Sequence, residues 1–264
     1  MILKQVINQS IYGTVGYIGS QNDLDTLETY IVYNLSVLKE FKQIVIATNY
    51  SGDYQSQNVE LWRKYFPNCI LLDSKINRGH SFGTADLDNL LFNYCKDNNE
   101  EWLCKVSNDI VLQESLLTKE VNEADFYYFN GISYEDIILN NFDYDKILNI
   151  HFYPQTNFYI INVSKCDYLN NKEYLDTTYD QIKTIPNYNG KVWEYIKGWS
   201  CENFLKECTQ RNNLKTEYLL NKDIHNKLCS ALSLYKIWDP SHKNVMIEGV
   251  CHFHFPNEEI VLIS

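Results

Sequence analysis

The chain has 264 residues, of which 45% are apolar and 22% charged, so it can bury a sizeable core. Its net charge of −11 at pH 7 and its lack of a basic stripe exclude nucleic acid as an expected partner, because that binding needs cations that displace counterions from phosphates. The eight cysteines are scattered without a CxxC pair, which predicts free thiols in a reducing compartment.

The termini and the charge distribution narrow the class of protein further. Residues 1–8 lack the apolar core and cleavage site of a secretory signal, and no apolar run approaches the length of a bilayer span. We therefore expect a soluble cytoplasmic protein with no transmembrane segment.

Between residues 120 and 180 there are eleven acidic residues and three lysines, which indicates a solvated acidic face. A protein this acidic needs a local cation, such as a bound metal, if it binds an anionic nucleotide.

Strands and helices alternate through the first half of the chain. In chain order, we expect a strand at 14–20, a helix at 23–40, a strand at 43–49, a helix at 58–65, a strand at 69–73, a helix at 84–96 and a strand at 102–106. Strands that are apolar throughout, separated by amphipathic helices, predict a parallel sheet covered on both faces. The first strand is not followed by a GxGxxG turn, so NAD is not an expected ligand.

The second half of the chain is less regular. Further strands are expected at 124–129 and 157–163, with an acidic, aromatic and loop-rich segment between them. A helix, a glycine break and a second helix are expected over 191–208, and a strand over 249–256. The whole chain is predicted to be one α/β domain with a Rossmann-like, mixed and mostly parallel sheet and a decorated C-terminal third.

Two neighbouring segments combine a glycine loop with a carboxylate. Asn77-Arg78-Gly79 precedes a helix, and the strand after that helix ends in Ser107-Asn108-Asp109. In an open parallel sheet the ligand crevice lies beyond the carboxyl ends of the strands, where Asp109 could hold a divalent cation. The simpler alternative is a turn, since Asn and Asp readily close strands.

This order of segments resembles the nucleotide-diphospho-sugar glycosyltransferases with the GT-A fold. In that family a β/α/β unit binds the nucleotide, an Asn-x-Gly loop and a helix follow, and a strand delivers an Asp-x-Asp metal motif. Here the matching positions are Asn77-Arg78-Gly79, then Asp88 or Asn89 on the helix, then Ser107-Asn108-Asp109. Ser107 replaces the first acid of the motif, which removes one negative charge from the implied metal site.

The resemblance covers residues 14–112 and extends over the rest of the chain in outline. It implies a single catalytic domain over 1–264, with a nucleotide-binding half at about 14–112 and an acceptor-binding half at about 113–264. The side chains and backbone that it assigns to the nucleotide sugar are Tyr17, Ile18, Gly19, Asp53, Asn77, Arg78, Gly79, Asp88, Asn108 and Asp109. Arg78, or His80 in its place, would neutralise phosphate.

The resemblance also implies a Mn²⁺ or Mg²⁺ ion, held by Asp109 and by a histidine near the C-terminus. His254 and His252 are both candidates, because alternate residues of a strand point to the same side. A zinc site that combines these histidines with Cys201 and Cys208 is the competing interpretation, although its spacing is unlike that of structural zinc sites.

Glu202 is the candidate general base, which an inverting transferase needs to deprotonate the acceptor hydroxyl. The alternative is a solvated acid that stabilises the first turn of its helix. Trp193, Tyr195 and Trp199 lie close to it in sequence and are candidates for an acceptor surface, because flat rings cover the apolar faces of sugars.

The leading hypothesis is a metal-assisted glycosyltransferase that moves a sugar from a UDP- or GDP-sugar to a glycan, a lipid-linked or a small-molecule acceptor. A sugar nucleotidyltransferase is one alternative, and it would require a glycine- and lysine-rich loop after the first strand. A non-catalytic nucleotide- or carbohydrate-binding relative is the other, and Ser107 favours it.

Overall fold

Two β-sheets organise the part of the chain that a computed structural model describes, which is residues 1–49, 52, 54–108, 110–130, 154–186, 188, 192, 195–196, 199–219, 244–247, 250–252 and 260–263. The strands are β1 (Ser10–Val15), β2 (Gln43–Thr48), β3 (Ile70–Asp73), β4 (Trp102–Ser107), β5 (Ile110–Leu112), β6 (Phe126–Asn130), β7 (Pro154–Asn162), β8 (Thr216–Tyr218), β9 (Asn244–Ile247), β10 (Val250–His252) and β11 (Ile260–Ile263). The helices are α1 (Leu3–Ile7), α2 (Gln21–Leu38), α3 (Tyr54–Tyr65), α4 (His80–Asp97), α5 (Glu114–Leu117), α6 (Lys172–Ile182) and α7 (Cys201–Arg211).

The larger sheet has seven strands in the order β3-β2-β1-β4-β7-β6-β8. β1, β2, β3 and β4 are mutually parallel, β7 is antiparallel to both of its neighbours, and β8 is parallel to β6. The sheet is therefore mixed and mostly parallel, with helices on both faces. This confirms the predicted fold class.

Alternation along each strand supplies a hydrophobic core on each face of this sheet. On β1, Tyr12 joins the cluster that includes Leu27 and Ile31 of α2. Its neighbour Ile11 points the other way and joins the cluster that includes Leu91 of α4. Burial on both faces explains why these strands are apolar throughout.

Several predicted boundaries differ from the structure. β1 is Ser10–Val15 rather than 14–20, so Tyr17, Ile18 and Gly19 follow the strand instead of ending it. α4 begins at His80, because Gly79 adopts the conformation that starts the helix there and not at residue 84. The second helix predicted within 191–208 is confirmed as α7 from Cys201 onward.

Some predicted features lie outside the described residues. These are the loop-rich segment at 131–153, most of 189–198 including Trp193, and the site residues Asp53, Asp109 and His254. No helix in the described ranges has both the length and the hydropathy of a membrane span. The cysteines with described side chains are all free thiols, as predicted: Cys69, Cys95, Cys104, Cys166, Cys201 and Cys208.

The smaller sheet has the order β11-β9-β10-β5, and a buried amide joins its strand β5 to α2. Asn34 of α2 is fully enclosed, and its Nδ2 donates to the carbonyl of Ile110 at 3.1 Å. Its Oδ1 accepts from the backbone N–H of Leu112 at 2.5 Å. One side chain thus provides both hydrogen bonds that a neighbouring strand would otherwise provide to β5.

We expect Asn34→Ala to lower the free energy of unfolding by about 2 kcal/mol or more, because it leaves a buried carbonyl and a buried N–H without partners. Urea denaturation followed by circular dichroism measures this loss. The matched control is Asn22→Ala, an exposed position at the start of the same helix, which we expect to stay within about 0.5 kcal/mol of the wild type. Equal stability of the two variants would contradict the role assigned to Asn34.

Candidate functional site

The carboxyl ends of β1, β2 and β4 meet at one edge of the large sheet. Val15 is the register partner of Ser107, so the segments that follow β1 and β4 leave the sheet side by side. β7 runs antiparallel to β4, with Val106 paired to Phe158, so the start of β7 lies at the same edge. This is the edge at which open α/β sheets bind ligands.

The Asn-x-Gly loop at this edge is held by the side chain of Asn77. Asn77 Oδ1 accepts from the N–H of Gly79 at 2.8 Å and from Nδ2 of Asn49, just after β2, at 3.3 Å. Gly79 has φ 81° and ψ −169°, a region essentially restricted to glycine. Its carbonyl accepts from the N–H of Gly83 and so begins α4. The motif therefore shapes the loop and starts the helix.

We expect Gly79→Ala to lower the free energy of unfolding by about 1–3 kcal/mol, because a Cβ is disfavoured at this φ and ψ. The measurement is chemical denaturation of the purified protein. Gly83→Ala, one turn into the same helix, serves as the control. Its φ is not positive and alanine favours helix by about 1 kcal/mol, which offsets a tight contact with the Asn49 amide. A larger loss at Gly83 than at Gly79 would overturn this explanation.

A close contact joins the ends of β1 and β4. A Cβ added to Gly16 would lie 2.5 Å from Nδ2 of Asn108, so glycine is what allows the Asn108 amide to pack there. Tyr17, the next residue, is 55% exposed and is free to contact a ligand. Ile18 is buried in the core, so only its backbone is available. The ring of Tyr17 lies over Gly19, where a Cβ would be 2.5 Å from Cε1.

Arg78 is occupied by protein carboxylates. Its Nη1 donates to Asp176 of α6 at 2.6 Å, its Nε lies 3.4 Å from Asp86 of α4, and its guanidinium is 5.0 Å from the ring centre of Tyr179. These contacts fasten the start of α4 to α6. They do not support the predicted contact with phosphate, because binding an anion there would require the guanidinium to exchange these partners.

Asp88 and Lys105 form a buried ion pair beneath the edge. Their side chains are 2% and 1% exposed, and Lys105 Nζ lies 3.7 Å from Asp88 Oδ1. The same ammonium donates to Ser107 Oγ at 3.0 Å and to the carbonyl of Thr156 on β7. The Asp88 carboxylate is enclosed in this arrangement, and its contact with a nucleotide sugar stays a prediction.

Burial raises the pKa of Asp88 from 3.8 to about 6, although the Lys105 ammonium opposes the shift. Between these two pH values the folded protein keeps a proton that the unfolded chain has released. The free energy of unfolding therefore falls as the pH rises through this window.

We expect Asp88→Asn to remove this pH dependence. The free energy of unfolding of the variant minus that of the wild type should rise by on the order of 3 kcal/mol between about pH 4 and about pH 7. Urea titrations across this range test it. Asp176→Asn is the contrasting control. Hydrogen bonds from Lys172 and Arg78 lower the pKa of Asp176 from its ordinary 3.8, so the same difference should change little across this range and fall as the pH rises only below it. Parallel curves for the two variants would contradict this.

Glu202 lies in the first turn of α7, whose N-cap is Ser200. Its Oε1 accepts a hydrogen bond from Thr156 Oγ1 at 3.0 Å, which holds the carboxylate beside the start of β7. Thr156 thus contacts Lys105 through its carbonyl and Glu202 through its hydroxyl. The carboxylate of Glu202 stabilises the helix from its first turn. The Thr156 contact places the same carboxylate at the edge where β1, β2 and β4 end.

The aromatic residues near Glu202 have different roles. Trp199 is buried, with its ring centre 4.9 Å from that of Phe82 and 5.2 Å from that of Phe204. It belongs to a small third core between α4, α6 and α7 and is not an acceptor surface, which corrects that prediction. Tyr195 is 38% exposed and remains available to an acceptor.

The described residues do not by themselves form a metal site. Among them, no three His, Cys, Asp or Glu residues are grouped to hold an ion. Ser107 does not suit a cation, because the Lys105 ammonium already donates to its hydroxyl. The remaining candidates are Asp109, His252 and His254. His252 ends β10 opposite Ile110, which directly follows Asp109 in the chain.

The zinc alternative fails on geometry. Cys201 and Cys208 are seven residues apart on one helix, so about 10 Å of helix separates them, too far for one ion. Their thiols instead contact the carbonyls of Ser81 and Tyr168.

Two residues that organise this edge, Lys105 and Thr156, were not predicted from the sequence. Lys105 could have been found, because it is the one charged residue in the apolar strand that forms β4. Thr156 carries no comparable signal, since its role depends on β7 lying antiparallel to β4.

No protein-family model matches the sequence, and no curated protein does so significantly. Among solved structures, the chain is similar to S. aureus TarS 1-349, with 15% identity, a TM-score of 0.41, and coverage of 80% of this chain and 58% of that one. It is also similar to the mannosyltransferase PcManGT from Pyrobaculum calidifontis, with 8% identity, a TM-score of 0.44, and coverage of 86% and 61%.

A third similar structure is the nucleoside-diphosphate-sugar pyrophosphorylase from Vibrio cholerae RC9, with 11% identity, a TM-score of 0.41, and coverage of 80% and 91%. The chain spans about three fifths of the length of the TarS and PcManGT structures. At these scores the likenesses add no weight to the fold assignment, which stands on strand order and register.

Proposed function

We propose that the chain is a glycosyltransferase that moves a sugar from a UDP- or GDP-sugar to a glycan, a lipid-linked or a small-molecule acceptor. The observation that carries the proposal is the hydrogen bond from Thr156 to Glu202, because it brings a carboxylate to the edge where β1, β2 and β4 end. Sugar transfer requires a base for the acceptor hydroxyl, and the edge beyond the carboxyl ends of parallel strands is where open α/β sheets bind ligands.

On the donor side, the exposed ring of Tyr17 is suited to stacking on a base, and the Asn49–Asn77 contact shapes the loop beside it. Asp53 and Asp109 remain proposed nucleotide contacts. One TarS structure contains UDP, and the PcManGT structure contains GDP-Man and Mn²⁺. Those ligands belong to those proteins, and they suggest the probes for this one.

A divalent cation, Mn²⁺ or Mg²⁺, would neutralise charge on the departing diphosphate when bound. Asp109, with His254 or His252, would hold it. Glu202 accepts the proton of the acceptor hydroxyl while that oxygen forms the new bond to the anomeric carbon and the bond from that carbon to the diphosphate breaks. Attack from the face opposite the diphosphate inverts the configuration. The Thr156 hydroxyl keeps Glu202 oriented for this step.

We also propose one catalytic domain over residues 1–264, with the nucleotide in about 14–112 and the acceptor in about 113–264. The free thiols support a reducing, cytoplasmic location. A sugar nucleotidyltransferase is a weaker candidate, because residues 16–20 after β1 include no lysine for the triphosphate.

We expect Glu202→Gln to lower turnover about 10²- to 10⁴-fold while leaving donor affinity unchanged, because it removes the base and keeps the shape. A thermal-shift screen of UDP- and GDP-sugars with Mn²⁺ identifies the donor, and its transfer or hydrolysis measures turnover. The matched control is Glu207→Gln on the same helix, whose side chain is 64% exposed.

Glu207→Gln should keep wild-type turnover. A screen in which no nucleotide sugar stabilises the protein, or an equal loss in both glutamine variants, would refute the proposed function. Loss of Mn²⁺-dependent binding in Asp109→Ala would support the metal role.

A further inference from the structure

Lys105 is a fully buried cation in an interior strand of the sheet. It lies on β4 between β1 and β7, and both of its neighbours in the strand, Cys104 and Val106, are buried. Lysine is almost never enclosed in this way unless it is paired, because moving the ammonium out of water is costly. The partners of Lys105 therefore indicate what its charge does.

An ammonium has three N–H donors and no acceptor. Those of Lys105 are directed to Ser107 Oγ at 3.0 Å and the carbonyl of Thr156, with Asp88 Oδ1 slightly farther away at 3.7 Å. The Ser107 hydroxyl can only accept in this contact. Its own proton is left to donate elsewhere, and no group within the described ranges accepts it.

Ser107 is half-buried, and it is the last residue of β4, at the edge where β1 and β2 also end. The ammonium behind it polarises the hydroxyl and strengthens it as a donor. Asp88 balances the buried charge, but Ser107 lies closer to the ammonium than Asp88 does. The end of β4 therefore presents a hydroxyl whose oxygen is held by an ammonium and whose proton can be donated outward.

We propose that Ser107, with Lys105 behind it, donates a hydrogen bond to a phosphate oxygen of the nucleotide-sugar diphosphate. This deepens the proposed function and rests on it. An aspartate at this position would accept hydrogen bonds and attract a cation, whereas the Ser107 hydroxyl, whose oxygen already accepts from Lys105, can donate its proton to an anion. Part of the affinity for the diphosphate then comes from the Lys105–Ser107 pair without any metal.

The test is calorimetric titration of UDP, GDP, uridine and inorganic diphosphate into the wild type, Ser107→Ala and Ser107→Asp, each in EDTA and in Mn²⁺. We expect the wild type to bind UDP or GDP in EDTA more tightly than uridine. Ser107→Ala should weaken diphosphate binding about tenfold or more, because a hydrogen bond to a charged group is lost, and should leave uridine unchanged. Ser107→Asp should bind the diphosphate only with Mn²⁺.

Ser74→Ala is the matched control. Ser74 follows β3, and its hydroxyl donates to the carbonyl of Ile76 at 2.8 Å, so its loss should not affect diphosphate affinity. Lys105→Met should reproduce Ser107→Ala. If Lys105→Met does not fold, Ser107→Ala alone decides, since a half-buried hydroxyl can be removed without emptying the core.

The outcomes separate this inference from the proposed function. Nucleotide binding that is identical in the wild type and Ser107→Ala overturns the inference and leaves the transferase standing. Binding of inorganic diphosphate that depends on Ser107, without nucleotide binding, supports the anion contact and refutes the transferase. If no diphosphate compound binds under either condition, both are refuted.

Discussion

The buried ammonium of Lys105 is the interaction on which the rest of the edge depends. It joins β4, β7 and α4 at one point, because its donors reach Ser107, Thr156 and Asp88. Through the hydroxyl of Thr156 the same network extends to Glu202 on α7. A cation enclosed in the sheet is costly unless all of these groups stay in place, so it selects one arrangement of strand ends. The pKa of Asp88 is raised because its own carboxylate is buried, and the Lys105 ammonium opposes that rise.

Asparagine side chains hold other segments of the structure in place, as the Lys105 ammonium does at the strand ends. Asn34 supplies strand-like hydrogen bonds to β5, and Asn77 closes the loop that starts α4. Asn108 packs against Gly16, which has no Cβ to displace it. Each amide replaces a missing backbone partner or fills a space that a larger residue would block. These amides therefore tie α2 to β5, fix the Asn77 loop and pack the end of β4 against the end of β1.

The pattern of apolar strands and amphipathic helices was enough to predict the parallel sheet, since burial on both faces leaves a continuous hydrophobic signal. Boundaries were predicted less well. The segment Tyr17–Gly19 looked like the end of a strand because it is apolar, yet Ile18 is buried without belonging to the sheet. Glu202 was recognisable as a first-turn acid after Ser200, and α7 confirmed that turn.

Local chemistry along the chain was thus sufficient for the fold class, the loop at Asn77 and the start of α7, because periodicity and capping act between residues that are close in sequence. Contacts between distant segments settled the roles of the individual side chains. Arg78 forms a hydrogen-bonded ion pair with Asp176, and Trp199 packs against Phe82 in a core. Asp88 pairs with Lys105. A charged or aromatic side chain can contact a ligand or another part of the protein equally well. Only the packing of α4, α6 and α7 determines which of the two contacts it makes.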